Sequence, residues 1–164
     1  MRATSTKTRP ETQWQPQPGQ HLSILFDVFE LGQRVRTLLA TALHDSGLRP
    51  DEYAAYSVIF EAEQITMTEM ARTLGMPVTT AADYVRAMLA RDHVRKAPNP
   101  GDARSYLLAL TPAGKRAHRR ASAAFDRAYQ AFIRELPPQR EAAARELLHH
   151  LATCATRATA TLEL

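Results

Sequence analysis

Basic side chains are concentrated between positions 86 and 127 of the 164-residue sequence. This segment holds ten lysines and arginines against three acidic residues, which gives it a charge of +7 in a chain whose net charge is +4. Such a block is the electrostatic footprint expected of a protein that binds a polyanion, and arginine suits bidentate contacts to phosphate and guanine. A solvated helix face would give the same count, so both interpretations stay open at this point. The basic residues are Arg86, Arg91, Arg95, Lys96, Arg104, Lys115, Arg116, Arg119, Arg120 and Arg127.

Catalytic and metal-binding motifs are missing from the sequence. It has no glycine-rich phosphate loop, nucleophile elbow, HExxH motif or closely spaced pair of acids, so we expect neither an enzyme nor a cofactor. His149 and His150 are adjacent, so on a helix they point in different directions, and we expect no metal site there. Cys154 is the single cysteine, which we interpret as a small apolar residue, with a redox-sensing thiol as the alternative.

The composition indicates a soluble, cytoplasmic protein of one domain with an N-terminal tail. No apolar run approaches the roughly 20 residues that a membrane span needs, and the first 20 residues lack the apolar core of a secretory signal. We therefore expect no membrane partner. Residues 1–20 are rich in proline, glutamine and threonine, and we expect a tail that is disordered or only loosely docked through Trp14.

Apolar residues at helical spacing predict helices at both ends of the chain. Residues 22–43 form a segment that is apolar on most sides, and a second helix should run from Pro50 to about Ala62. Thr111-Pro112 predicts the start of a long helix that Pro137-Pro138 interrupts, and one more helix follows. A small domain cannot cover so much apolar helix surface alone, so a second subunit is a natural partner.

The middle of the chain carries residues that typically begin and end two short helices and a hairpin. Thr66 and Glu69 have the spacing of a capping box, Gly75 can end the helix that follows, and a new helix should start near Val78. Two β-like runs at 94–97 and 105–110 flank a turn-rich segment. This order is typical of a winged helix-turn-helix. In such a domain the second helix enters the major groove of DNA, and the hairpin tip can reach the adjacent minor groove.

The stretches GLRPDEYAAYSVIFE, ITMTEMARTLGMPVTTAADYVRAML and HVRKAPNPGDARSYLLALTPAG resemble the MarR-type transcriptional regulators, with a match over about residues 22–160. The resemblance implies a mainly α-helical fold with a small β-hairpin wing, in which N- and C-terminal helices form a dimerisation platform. Residues 21–46 and 112–160 would form the platform, and residues 47–111 the winged helix-turn-helix domain. It also implies a homodimer that binds a pseudo-palindromic operator in double-stranded DNA, typically as a ligand-responsive repressor.

The resemblance also assigns residues to the DNA. The supporting helix would be 66–74, the recognition helix 79–89 and the wing 94–110, with the Asp102 carboxylate bracing the Arg104 guanidinium in the minor groove. A small aromatic or phenolic effector would bind beside His44, Tyr53 and Tyr56, although plain core packing explains the tyrosines equally well. The expected DNA-binding residues are Thr68, Thr79, Thr80, Asp83, Tyr84, Arg86, Arg95, Lys96, Asp102 and Arg104.

Three positions depart from the family pattern. Asp83 stands where a basic residue is frequent, Asp92 stands where glycine usually ends the helix, and Ala103 replaces a frequent basic residue in the wing tip. Aspartate enters the left-handed conformation more readily than most residues, so Asp92 is tolerable. Asp83 lies three residues before Arg86, a spacing that predicts an ion pair on one helix face. The alternatives are that Asp83 accepts a hydrogen bond from cytosine or only faces solvent.

A dimeric helical adaptor that uses its winged domain to bind protein is the main alternative function. Such an adaptor would bind DNA weakly and with little salt dependence, whereas a DNA-binding regulator loses affinity steeply as the salt concentration rises.

Overall fold

The computed structural model describes residues 23–137 and 139–162. Within these residues the chain forms six α-helices and three short strands, and the predicted tail with Trp14 lies outside them. No helix in the described ranges is long and apolar enough to cross a membrane. The elements are α1 (Ile24–Leu43), a 3₁₀ turn (His44–Ser46), α2 (Pro50–Ala62), β1 (Ile65–Thr66), α3 (Met67–Leu74), α4 (Val78–Ala90), β2 (Val94–Pro98), β3 (Tyr106–Leu110), α5 (Pro112–Glu135) and α6 (Glu141–Leu162).

Helix α2 provides the centre of the core. It begins at Pro50, as predicted, because a proline at the first helical position gives up no intrahelical hydrogen bond. Its Tyr56 and Ile59 side chains are fully buried and belong to one cluster with Met70 of α3 and Leu108 of β3. The short helices and the hairpin are therefore anchored on one apolar centre.

Local capping sets the bounds of α3 and α4. The Thr66 Oγ1 accepts the Glu69 N–H at 3.2 Å, and the Glu69 carboxylate accepts the Thr66 N–H at 3.0 Å, which confirms the predicted capping box. Gly75 ends α3 at φ +63°, a conformation that glycine adopts without strain. The chain then restarts as α4 at Val78, as predicted.

The hairpin forms as predicted, and its sheet has one strand more. The strands β2 and β3 pair antiparallel, and the strand order is β1-β3-β2. The added strand β1 pairs Ile65 with Leu108, and its two residues are too few to give a periodic signal in the sequence. Asp92 precedes the hairpin at φ +52°, which confirms that an aspartate holds the left-handed position there.

The start of α5 is fixed tightly against the hairpin. Thr111 Oγ1 accepts the Gly114 N–H at 3.1 Å and donates to the Asp92 carbonyl at 2.7 Å. Gly114 is buried, and a Cβ at this position would collide with the carbonyl oxygen of His93. The Thr-Pro-Ala-Gly sequence therefore needs its glycine for close packing.

Two helical segments leave large apolar side chains exposed. None of the described residues of α6 is buried, and its Leu147 and Leu148 are 59% and 48% exposed. In the first half of α1, Leu25 and Phe29 are likewise exposed. Cys154 on α6 is exposed as well.

Candidate nucleic-acid interface

Helix α4 has one buried face and one exposed face. Ala81, Val85 and Met88 are buried in the core. At 100° per residue, Thr79, Asp83 and Arg86 fall on the opposite side of the helix, and all three are exposed. The predicted recognition helix therefore presents hydroxyl and charged groups outwards.

The N-terminus of α4 has no side-chain cap. Pro77 occupies the N-cap position, and the first turn carries no acidic residue. Thr79 and Thr80 are exposed in this turn, and Thr68 is exposed at the start of α3. Uncapped N–H groups with small hydroxyl side chains are suited to a phosphate of DNA.

Tyr84 differs from the other predicted residues of α4. Its side chain is half-buried, and its hydroxyl faces Asp51 of α2, which also accepts a hydrogen bond from Arg36 at 2.8 Å. Burial and the Asp51 carboxylate raise the pKa of Tyr84 above its ordinary value. Tyr84 therefore packs partly against α2, and its contact with DNA stays a prediction.

Asp83 and Arg86 form the predicted ion pair. The Arg86 Nη1 donates to the Asp83 Oδ1 at 2.6 Å, and both side chains are largely exposed. The pair lies in the middle of the exposed face of α4, because the two residues are three apart on one helix surface.

The wing tip is ordered by local hydrogen bonds. Asn99 Oδ1 accepts the Gly101 N–H at 3.0 Å, and Asp102 Oδ1 accepts the backbone N–H of Arg104 at 3.0 Å. Among the residues that the structure describes, no ion pair joins the Asp102 carboxylate to the Arg104 guanidinium. The expected brace is therefore wrong: a short acidic side chain two residues upstream caps the turn instead, and Arg104 stays exposed.

Arg95 and Lys96 point to opposite faces of β2, because side chains alternate along a strand. The Lys96 Nζ lies 4.0 Å from the centre of the Tyr106 ring, a cation–π contact that holds the ammonium group on one face. Arg95 lies on the other face, where it lines a polar cavity of about 400 Å³ together with Lys115 and Glu63. The two predicted cations therefore serve different surfaces of the wing.

A buried polar network joins α2 to the end of α4. Glu52 is 4% exposed; its carboxylate accepts from the Arg91 Nη2 at 2.9 Å and from the Arg49 N–H at 3.0 Å. Burial raises the pKa of Glu52, but the hydrogen bond from Arg49 and the charge of Arg91 outweigh it, so the pKa lies below its ordinary value. Arg91 thus serves the interior of the winged domain, although it counts in the basic block.

A second buried contact joins α2 to the first residues of the hairpin. The Tyr56 hydroxyl lies 2.7 Å from Nδ1 of His93. Burial raises the pKa of Tyr56 and lowers the pKa of His93, so both groups are held neutral. This contact and the Glu52–Arg91 ion pair were not predicted from the sequence, because their partners lie 37 and 39 positions apart and share no local spacing signal.

The three residues expected beside an effector have different surroundings, and the effector site stays a prediction. His44 lines a cavity of about 260 Å³ formed by residues 40–50, and neither tyrosine lines it. Tyr53 stacks on the ring of His118 at 5.5 Å, and the Tyr56 side chain is fully buried. Core packing, the alternative for the two tyrosines, is what the structure shows for Tyr56. No group of three potential metal ligands occurs among the described residues.

No protein-family model matches the chain, and no curated protein matches it either. Solved structures do match it closely in shape. CouR from Rhodococcus jostii RHA1, bound to p-coumaroyl-CoA, is 27% identical, with a TM-score of 0.71 over 79% of this chain and 92% of CouR. The PcaV transcriptional regulator from Streptomyces coelicolor, in complex with its natural ligand, is 24% identical, with a TM-score of 0.74 over 82% of this chain and 94% of PcaV.

A MarR-family transcriptional regulator from Rhodococcus sp. RHA1 is 24% identical, with a TM-score of 0.69 over 80% of this chain and 96% of that protein. PcaV and the Rhodococcus sp. protein are transcriptional regulators, the class of protein that the sequence predicts. The fold expected from the sequence is confirmed: the chain has the winged helix-turn-helix fold of the MarR-type transcriptional regulators that it resembles.

Proposed function

We propose that the chain is a dimeric regulator of transcription that represses from a pseudo-palindromic operator and releases it on binding a small aromatic or phenolic ligand. The observation that carries the DNA-binding part is the exposed face of α4, with Thr79, Asp83 and Arg86, followed along the chain by a wing whose tip exposes Arg104. A helix of this kind fits the major groove, and an exposed arginine on a hairpin fits the minor groove.

The charge distribution supports a polyanionic partner. Of the ten cations in the basic block, Arg91 is engaged with Glu52 and Arg86 with Asp83. The exposed cations of the wing and of the first turns of α5, such as Arg104 and Arg116, have no acidic partner among the described residues. Their field attracts phosphate without regard to sequence, which is the main source of non-specific affinity.

The exposed apolar side chains of α6 and of the first half of α1 support a homodimer. Leu147 and Leu148 of α6 and Phe29 of α1 would stay in water in a monomer. A second copy can cover such side chains by two-fold symmetry, and a two-fold dimer matches an operator with two half-sites. We assign residues 21–46 and 112–160 to this platform, and residues 47–111 to the DNA-binding domain.

The ligand-response part of the proposal rests on the matched proteins and one cavity. CouR was solved with p-coumaroyl-CoA, and PcaV with its natural ligand. In this chain the cavity beside His44 has the mainly apolar wall of Leu43, Leu48 and Pro50, and Arg49 also lines it. An aromatic ring with a polar substituent suits such a lining.

The decisive experiment selects bound duplexes from a random pool and then measures the affinity of the selected duplex over a range of salt concentrations. We expect an inverted repeat and a steep loss of affinity with salt. Arg104→Ala should weaken binding by about 1 to 3 kcal/mol if the guanidinium lies in a groove, whereas Arg157→Ala on α6 serves as the control. Failure to select any duplex, or an affinity independent of salt, would favour the protein-binding adaptor.

A further inference from the structure

The exposed face of α4 has an unusual composition for a helix that meets a polyanion. Asp83 and Arg86 are its two charged residues, and their charges cancel. The other positions on its outer side are small, with the exposed Val78 and Leu89 at its flank: Thr79, Thr80, Ala82, Ala87 and Ala90. This helix therefore adds almost no net attraction to phosphate, and its small side chains allow a close approach to the groove floor.

Arg86 is the one long donor on this face of α4. Its Nη1 is held by the Asp83 Oδ1 at 2.6 Å, and the structure gives its Nε and Nη2 no other partner among the described residues. A guanidinium held by a carboxylate keeps a planar edge of two N–H donors in a fixed direction. Two parallel donors match the O6 and N7 acceptors that guanine presents in the major groove.

We propose that the Asp83–Arg86 pair is the specificity determinant of the recognition helix, with Asp83 as the positioning residue and Arg86 as the contact to one guanine in each half-site. The proposal rests on the DNA-binding function proposed above. Asp83 lowers affinity for every duplex because its carboxylate is repelled by phosphates. It raises the preference for guanine, because the arginine it orients loses less freedom on binding.

The test measures the affinities of four proteins for the selected operator, for the same operator with 7-deazaguanine at the half-site guanine, and for a scrambled duplex. The proteins are the wild type, Asp83→Ala, Arg86→Lys and Asp126→Ala. The last removes one exposed negative charge from α5 and so controls for net charge. All the changed side chains are exposed, so each variant should keep the thermal unfolding midpoint of the wild type.

We expect 7-deazaguanine, which lacks the N7 acceptor, to weaken wild-type binding roughly tenfold. Asp83→Ala should bind scrambled duplex about threefold more tightly, while its preference for the operator falls about fivefold or more. Arg86→Lys keeps the charge but lacks the planar fork, so its sensitivity to 7-deazaguanine should be smaller than that of the wild type. Asp126→Ala should leave the preference for the operator unchanged.

Two results overturn the inference while leaving the proposed function intact. If Asp83→Ala gains equally on operator and scrambled duplex, Asp83 is only a repulsive charge. If it keeps the full sensitivity to 7-deazaguanine, the aspartate does not orient the arginine. If the wild type selects no duplex at all, both the DNA-binding function and this inference fail.

Discussion

Helices α2 and α6 both carry apolar side chains at helical spacing, yet they meet very different surroundings. In α2 the residues Ala55, Tyr56 and Ile59 are buried, and even the charged Glu52 is enclosed with its partners. In α6 no described residue is buried, although Leu147 and Leu148 are as apolar as anything in the core. The apolar side chains are therefore buried by the same chain in α2 and left exposed in α6.

This difference shows that an amphipathic sequence does not by itself reveal whether the apolar face of a helix packs within its own chain or against another chain. The surroundings of α2 come from α3, α4, α5 and the hairpin of the same chain. The apolar face of α6 needs a surface outside the described chain, which we assign to a second copy. Substitutions near α2 should therefore act on folding, whereas substitutions on α6 should act on assembly.

Gly114→Ala should have the largest effect, because it forces a methyl group into the backbone of His93 beneath the core around α2. We expect a loss of about 3 kcal/mol or more in the free energy of unfolding, measured by urea denaturation. Gly101→Ala in the wing tip is the matched control, since a Cβ there meets only the Asn99 side chain at 3.5 Å. Equal stabilities of the two variants would contradict the close approach of α5 to the hairpin.

Glu52→Gln should have the second largest effect on stability, because it removes the negative charge that interacts with Arg91 and the Arg49 N–H. We expect a loss of about 2 kcal/mol at pH 7, below the range for a fully buried pair because Arg91 is partly exposed.

The same variant should change the acid sensitivity of the fold. The pKa of Glu52 is lowered by folding, so its contribution to stability is complete above its ordinary value of 4.5 and is lost as the pH falls through the folded value. Urea midpoints between pH 7 and pH 3 should therefore fall less steeply in Glu52→Gln than in the wild type. Parallel profiles would show that the carboxylate is not stabilised by folding.

Leu147→Glu should separate assembly from folding. A carboxylate in an apolar dimer interface should raise the dimer dissociation constant tenfold or more, which is about 1.4 kcal/mol, as measured by analytical ultracentrifugation. Ala160→Glu is its control, since position 160 lies on the opposite side of α6 at 100° per residue. A monomeric wild type, or equal dimers from both variants, would contradict the assignment of this face.

His118→Phe should have the smallest effect at neutral pH. The imidazole lies between the rings of Tyr53 and Phe60 of α2, with Nε2 3.1 Å from the Ser57 hydroxyl and Nδ1 buried without a partner among the described residues. The lost hydrogen bond and the removal of an unpartnered nitrogen oppose each other, so we expect a change within about 1 kcal/mol.

The effect of this variant should grow in mild acid. Burial lowers the pKa of His118, with the Glu61 carboxylate opposing that shift and Arg119 adding to it. Because the folded protein binds this proton less readily than the unfolded chain, the contribution of His118 to stability is fully present above its ordinary pKa of 6.5. It is lost as the pH falls through the folded pKa. His118→Phe should therefore lose less stability between pH 7 and pH 5 than the wild type, and His149→Ala on α6 should follow the wild type.

The features that the sequence predicted correctly are those with a short-range cause. The Thr66–Glu69 capping box, the start of α2 at Pro50 and the Asp83–Arg86 pair each depend on residues within four positions. The Glu52–Arg91 and Tyr56–His93 contacts could not be predicted, because a carboxylate or a phenol gives no sign of which distant group the fold brings to it.

The expected Asp102–Arg104 brace was wrong for a physical reason. Asp102 has two possible partners, the exposed guanidinium of Arg104 and the backbone N–H of the same residue. An ion pair in water gains little and restricts a long side chain, whereas the turn needs its N–H satisfied. The same reasoning favours an Asp83–Arg86 pair, because on a helix the backbone N–H of Arg86 is already engaged.

The strand order β1-β3-β2 leaves β2 at an edge of the sheet. An edge strand offers unpaired backbone groups to any other strand, and natural proteins protect such edges with lysine, other charges and proline. Strand β2 carries Arg95 and Lys96 and ends at Pro98, so its composition also keeps copies of the protein from joining edge to edge. Replacing its cations with apolar residues would therefore make the protein prone to aggregate even in the absence of DNA.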